Sequence, residues 1–205
     1  MNPDLIEIIR STRAMRRLKP DPVPPELINQ ILRAGTAAPP ASNMCGWRLL
    51  VIRDQAIKDA VADRYRRRWY NEGGPAFRNA APSRARYSQM LDACDYLADH
   101  LQEAPVWIVP CVLGRTRTWE AGSCIYPAMQ NMLLAARALG LGATLTTLFQ
   151  YEEEDGEVML GLPENARSYA ILPIGYPLGN FGPVAPVALE DVVFADRWGE
   201  KWSDG

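Results

Sequence analysis

The chain has 205 residues, is 48% hydrophobic and carries a formal net charge of -2, which suits one domain and gives no basic stripe for nucleic acid. Cys45, Cys94, Cys111 and Cys124 form no CxxC pair, which argues against a zinc site or a disulfide framework and for a reducing compartment. The first residues lack a basic, then apolar leader, and no apolar run nears the roughly 18 residues of a membrane helix, so a soluble cytoplasmic protein with a small-molecule or protein partner is expected.

In chain order, Asp4 is placed as the N-cap of a short amphipathic helix through Leu5, Ile6, Ile8 and Ile9, running toward the arginines between positions 10 and 17. Pro20, Pro22 and Pro24 stop it. Pro25 opens a second helix, in which Leu27, Ile28, Ile31, Leu32 and Gly35 repeat at three- and four-residue spacing. Residues 37–46 read as a loop and 47–53 as a strand. Residues 54–101 read as two helices, one carrying Ile57, Val61 and Tyr65 and the other Tyr87, Leu91, Cys94 and Leu101. The Asn71-Glu72-Gly73-Gly74-Pro75 joint between them marks a mobile lid. Residues 106–113 form an apolar strand interrupted by Pro110, and 122–139 a helix closed by Gly140. Residues 143–148 and 169–174 read as further strands around a short acidic helix at 152–160, and the Gly- and Pro-rich 179–187 as an extended tail. The alternation predicts a mixed sheet covered by helices.

Arg10, Arg13 and Arg16 are three apart, so on a helix or a tight helical end they share one broad face, which either converges on an anion such as phosphate or is simply solvated. Neither G-x-x-x-x-G-K-[ST] nor G-x-G-x-x-G occurs, and Gly140-Leu141-Gly142 precedes a strand pattern, so it reads as a helix cap and turn. His100, the single histidine, lies in a charged helical stretch with no nucleophile motif beside it, which disfavours a hydrolase and rules out a multi-histidine metal site. The carboxylates at positions 152–155 read as a solvated helix start. What remains is cofactor chemistry, in which the reacting atoms belong to the bound group and no protein side chain is catalytic.

Four segments resemble the FMN-dependent nitroreductase family, spread from Ile9 to Trp198. Thr12-Arg13-Ala14-Met15-Arg16-Arg17-Leu18, followed by Val23-Pro24, is similar to the family's opening R-R-S-x-R-x-F…V-P, and the likeness makes Arg13 and Arg16 phosphate ligands with Thr12 and Ala14 lining the same site. Ala38-Pro39-Pro40-Ala41-Ser42-Asn43-Met44-Cys45-Gly46-Trp47 looks like the A-P-S-x-x-N-x-Q-P-W loop, which implies cofactor contacts from Pro39, Pro40, Ala41 and Asn43 and a substrate-wall position for Cys45. The most specific likeness runs from Tyr126 to Gly142 and is similar to the family's core and dimer helix with its G-L-G turn. By that likeness the backbone of Thr146, Thr147 and Leu148 faces the flavin N5 edge, where an N–H stabilises negative charge on the reduced ring. Ile174-Gly175-Tyr176-Pro177 and the tail to Trp198 resemble the last strand and an arm, about residues 178–205, that embraces the other subunit.

The resemblance implies an α+β fold in a single domain over 1–205, with a mixed, mostly antiparallel sheet flanked by helices and FMN at the interface of a homodimer. The implied reaction is a ping-pong hydride transfer from NADH or NADPH, through flavin N5, to a nitroaromatic, quinone or activated alkene. Trp69, Tyr70, Phe77 and Tyr87 are the expected aromatic wall for the acceptor, with core packing as the plainer reading; Arg64, Arg66, Arg67 and Arg68 either attract acidic substrates or form a solvated face. Ala14 and Pro40 stand where hydroxyl side chains are usual, Cys45 replaces a glutamine, and Ala185-Pro186 takes the place of a basic residue. Each change removes a polar contact, worth about 1.5–3 kcal/mol where it is charge-assisted. Two other readings stay open at this point: a flavin-dependent oxidase, dehalogenase or FMN-degrading relative, and a non-catalytic flavin-binding or scaffold protein.

Overall fold

A computed structural model describes residues 4–40, 46–80, 85–150 and 153–202. Its sheet is organised by β2 (Val106–Leu113), an eight-residue strand whose side chains are buried on both faces. Because neighbouring residues of a strand point to opposite sides, Trp107, Val109 and Cys111 enter one core, while Val106 and Ile108 enter a second. β1 (Trp47–Ile52) pairs with one edge of β2; β4 (Ala166–Ser168) and β5 (Leu172–Gly175) share the other, and β3 (Gly142–Ala143) adds to β5. All four pairings are antiparallel. Pro110 does not interrupt β2: β5 partners the strand as far as Ile108 and β4 begins at Cys111. The residue without an N–H therefore falls between two partners, and its carbonyl accepts from Tyr169 N–H at 2.8 Å.

On one face α2 (Pro25–Thr36) packs against α6 (Trp119–Ala138), the longest helix of the described residues. Ile28 and Ile31 of α2 meet Ile125, Met129 and Met132 of α6 in the second core, and Asn131 Nδ2 donates to the Ala34 carbonyl. Helical spacing of apolar residues predicts α6 from residue 122, but it begins at Trp119, capped by Thr118 Oγ1, which accepts from Ala121 N–H. Trp119 is 94% exposed in the single chain, so it carries no core-facing signal. Gly140, at φ 75°, ends the helix in the left-handed region that glycine adopts without strain.

The other face is covered by α3 (Gln55–Arg68) and α5 (Ala85–His100), with Val61, Tyr65, Leu97 and Leu101 in the first core. The expected break at residues 71–75 is absent. The chain continues through a π turn (Trp69–Gly73) directly into α4 (Gly74–Ala80), closed by Gly74 N–H to the Trp69 carbonyl. Glycine is required in this turn, since a Cβ at Gly74 would lie 2.7 Å from Arg78 Nη1 and 2.9 Å from the Trp69 carbonyl oxygen. A short acidic helix, α7 (Glu153–Met159), sits near its expected place. Its Glu157 is buried and accepts from Ser168 N–H, Ser168 Oγ and Arg117, which ties the helix to β4.

The first helix, α1 (Leu5–Ser11), is capped by Asp4 as expected and carries Arg10 in its last turn, but it stops before Arg13, Arg16 and Arg17. The Ser11 and Thr12 hydroxyls donate to the Glu7 and Ile8 carbonyls, which satisfies that end, and Leu5, Ile6 and Ile9 stay exposed. The following residues are extended and stitched to the sheet: Met15 N–H donates to the Ala143 carbonyl at 2.9 Å and Lys19 N–H to the Tyr176 carbonyl at 2.7 Å. The tail returns along this segment, Leu178 N–H donating to the Arg17 carbonyl and Val184 N–H to the Arg10 carbonyl. It then forms the four-residue α8 (Leu189–Val192), leaving Val187, Leu189, Val192, Trp198 and Trp202 exposed.

The predicted strand 143–148 is also shorter: after β3 only the Thr146–Ile171 bridge holds, and Leu148 enters a 3-10 turn. Of the predicted strand 169–174, Tyr169 and Ala170 are irregular, Ile171 makes the isolated bridge to Thr146, and β5 begins only at Leu172. Gly142 lies where the extended segment crosses β3, and a Cβ there would meet Leu18 Cδ2 at 2.8 Å and Met15 Cβ at 3.0 Å. Gly142→Ala should therefore lower stability by about 1–3 kcal/mol, read as a drop in the urea midpoint at unchanged slope.

Candidate functional site

Two adjoining cavities flank the place where the chain leaves the sheet after β3. The first, about 250 Å³, is lined by Thr12, Arg13, Ala14 and Arg16 from the extended segment, by Gln130, Leu133 and Arg137 from α6, and by Phe181 from the returning tail. The second, about 270 Å³, is lined by Tyr65, Trp69, Phe77, Met90 and Cys94 and by residues 145–148. Arg16 and Leu145 border both. Each lies just below the lower end of the range of small-molecule sites, roughly 300–1,000 Å³, and the shared residues set them side by side.

The first cavity is cationic. Three arginines line it without a carboxylate among the lining residues. Arg13 is exposed and donates through Nη2 to the Asn180 carbonyl at 2.7 Å; Arg16 is half-buried. The expectation of a shared helical face fails for Arg10, which lies on α1 and lines neither cavity, because α1 ends at Ser11. Arg13 and Arg16 converge through an extended backbone instead. Uncompensated guanidinium groups around a concavity favour an anion able to accept several of their hydrogen bonds.

The second cavity is apolar and aromatic, with two polar details. Tyr65 Oη and Thr146 Oγ1 lie 2.9 Å apart, and both residues are buried. Burial pushes the Tyr65 hydroxyl up to about 12, partly countered by the bond to Thr146. Burial likewise raises the Cys94 thiol, against the pull of Arg16, which disfavours a thiolate nucleophile. Thr146 N–H and carbonyl both pair with Ile171, whereas Thr147 N–H has no backbone acceptor among the described residues.

Of the residues singled out in the sequence, the structure gathers Thr12, Arg13, Ala14 and Arg16 at the first cavity and Thr146, Thr147, Leu148, Trp69 and Phe77 at the second. Trp69 is buried, and its Nε1 donates to Asp95 at 2.6 Å, so it serves the core and the cavity wall together. Tyr70 points elsewhere and donates to Asp99; Tyr87 donates to the Phe77 carbonyl, steadying α4, and lines neither cavity. Pro39 and Pro40 border neither cavity of the single chain, and Ala41, Asn43 and Cys45 lie outside the described residues. Arg66 and Arg67 pair with Asp63, and Arg68 with Glu72. His100 pairs with Glu103 and stacks on Tyr96. Among the described residues no group of His, Cys, Asp or Glu could hold a metal ion, and no helix is long and apolar enough to cross a membrane.

The cavities also take in residues outside the expected set, Gln130, Arg137 and Phe181 in the first and Tyr65 in the second. The spacing of Gln130, Leu133 and Arg137, three and then four residues, puts them on one face of α6 and was the available signal. Phe181 and Tyr65 have none, because tertiary pairing alone brings them in.

The raised Tyr65 hydroxyl has a stability consequence. Between about pH 10 and 12 the unfolded chain loses this proton while the folded one keeps it, so its stabilisation is complete below pH 10 and lost as pH rises toward 12. The loss amounts to about 3 kcal/mol. Tyr65→Phe should start lower, by about 1 kcal/mol, and show a shallower alkaline decline in denaturation midpoint than the parent.

The nitroreductase family model matches residues 9–176. A protein named NADH dehydrogenase from Thermus thermophilus is 28% identical over 88% of this chain and 90% of its own length. One named iodotyrosine deiodinase from Thermotoga neapolitana is 25% identical over 84% of this chain and 88% of its own. The crystal structure of a nitroreductase with bound FMN from Bacteroides fragilis shares the fold, with a TM-score of 0.68 and 21% identity over 95% of this chain and 100% of that one. With the match spanning α1 to the end of the sheet, the chain belongs to the nitroreductase family.

Proposed function

We propose that this protein is an FMN-dependent oxidoreductase that passes electrons from NADH or NADPH to a small electron-poor acceptor such as a nitroaromatic, quinone or activated alkene, by a ping-pong cycle. One observation carries the reading: a cationic cavity and an aromatic one adjoin at Arg16 and Leu145, matching a molecule with an anionic end and a flat apolar end. Family membership and the relatives named for NADH dehydrogenase and nitroreductase activity agree with it.

Arg13 and Arg16 would hold the phosphate, with Thr12 and Ala14 beside it. The backbone of Thr146, Thr147 and Leu148 would run along the ring edge, the Thr147 N–H being open to an acceptor. Bound there, FMN would supply the redox chemistry, two-electron transfer between the nicotinamide and the second substrate. The protein's task is to orient both partners and exclude water. Trp69 and Phe77 provide an apolar wall, and the neutral Cys94 and Tyr65 offer no competing nucleophile at neutral pH.

The working form we infer is a homodimer in the cytoplasm. On α1 and α6, Leu5, Ile6, Ile9, Trp119 and Tyr126 are exposed apolar groups, and the tail adds Trp198, 91% exposed. Such surface is unfavourable in water unless covered. Residues 178–205 would act as the arm around the other subunit, and Pro39, Pro40, Ala41 and Asn43 would serve the cofactor in the dimer. Segment 54–101 would be the lid in this reading, with Cys45 at the edge of the acceptor site and Tyr87 bracing Phe77 rather than lining it.

Purified protein should be yellow, release FMN on denaturation, and consume NADH or NADPH in fixed ratio to a nitroaromatic without oxygen. Arg16→Ala should weaken FMN by about 10–100-fold, the worth of one charge-assisted contact, with the thermal midpoint of the flavin-free protein unchanged. A colourless protein that takes up no added FMN would overturn the proposal. The deiodinase relative favours one alternative, reductive dehalogenation. Steady turnover of an iodophenol with no turnover of nitro compounds or quinones would select it.

A further inference from the structure

We propose that Arg137 is a third ligand for the anionic end of the cofactor, held ready by Ser11 and Phe181. The inference rests on the FMN reading above and adds to it a residue from a different element of the fold. Arg137 sits in the last turn of α6, facing the cavity that Arg13 and Arg16 enter from the extended segment. Its Nε donates to Ser11 Oγ at 3.0 Å, and Ser11 Oγ in turn donates to the Glu7 carbonyl at 2.7 Å. The guanidinium carbon lies 4.2 Å from the Phe181 ring centroid. One N–H is therefore committed and one face is stacked, which fixes the plane of the group. The terminal nitrogens meet no carboxylate among the described residues.

A helix-capping role explains only part of this. A cation in the last turn of α6 is favoured by the partial negative charge there, and this accounts for Arg137 taken alone. It does not account for Arg13 and Arg16 lining the same cavity with no acidic side chain to offset them. Three like charges in one concavity repel one another, and a phosphate that accepts from all of them removes that cost. Arg137 stands on a helix, whereas Arg13 and Arg16 stand on an extended segment, so it supplies the most rigid of the three contacts.

The test compares FMN with riboflavin, which has the same ring and no phosphate, using flavin-free protein and fluorescence titration. Wild type should prefer FMN. Arg137→Ala should weaken FMN by about tenfold or more and riboflavin by less than about twofold, collapsing that preference, and Arg137→Lys should restore part of it because it keeps the charge and loses the planar fork. Arg137→Gln, which retains the stem and a donor for Ser11, serves if the alanine variant unfolds, with the same expected loss of preference. Equal weakening of both flavins in the folded variants would mean that Arg137 only supports the helix end and would overturn the inference. Unchanged FMN affinity would overturn it as well, while leaving the FMN reading intact. A wild type that binds neither flavin would remove both.

Discussion

The hydrogen bond from Met15 N–H to the Ala143 carbonyl joins the arginine-bearing segment to the edge of the sheet, and the site depends on that junction. On one side of it the segment is bound to β3; on the other the tail returns and bonds to Arg17 and Arg10. Extended backbone alternates its side chains, so burial of Met15 turns Ala14 and Arg16 outward to the cavities. Gly142 permits the close crossing, since Leu18 and Met15 occupy the space a Cβ would need.

Departure from the sheet does the rest. Ala143 is the last residue of β3, the chain rejoins β5 only through the Thr146–Ile171 bridge, and Leu145 between them borders both cavities. The two concavities are thus a gap in a ladder, one end surrounded by guanidinium groups and the other by aromatic rings. In the proposed function the protein contributes complementarity of charge and shape and leaves bond-making to the bound group. The buried Tyr65–Thr146 pair fits that division, being a satisfied and neutral contact at the floor of the aromatic end.

Much of the architecture was legible because local signals agreed with tertiary demands. Asp4 and Gly140 terminate helices where capping chemistry says they should, and the apolar spacing of α2 matches its buried face. Local signals misled where long-range pairing decided. Arg13 and Arg16 look helical by spacing but are extended, since β3 and the tail supply their neighbours' hydrogen bonds. Gly73, Gly74 and Pro75 look like a break, yet a π turn carries the helix through them, packed on Trp69 and Leu148. Pro110 looks like an interruption in a strand because its place between β5 and β4 depends on register that no short window contains. The basic and backbone parts of the candidate site followed from motif likeness, whereas Tyr65 and Phe181 arrive from segments whose meeting no spacing encodes.

The tail that closes over the arginine segment carries a consequence for the order of assembly. Val184 bonds to Arg10 and Asn180 to Arg13, contacts that span nearly the whole polypeptide. Pairings so distant along the chain form slowly, because a large loop must close before any contact rewards it. On the ribosome, the first helix and its arginines emerge long before the residues that will pin them. Competence to hold a ligand is therefore acquired only after the returning segment has been made and has stitched itself to the sheet edge.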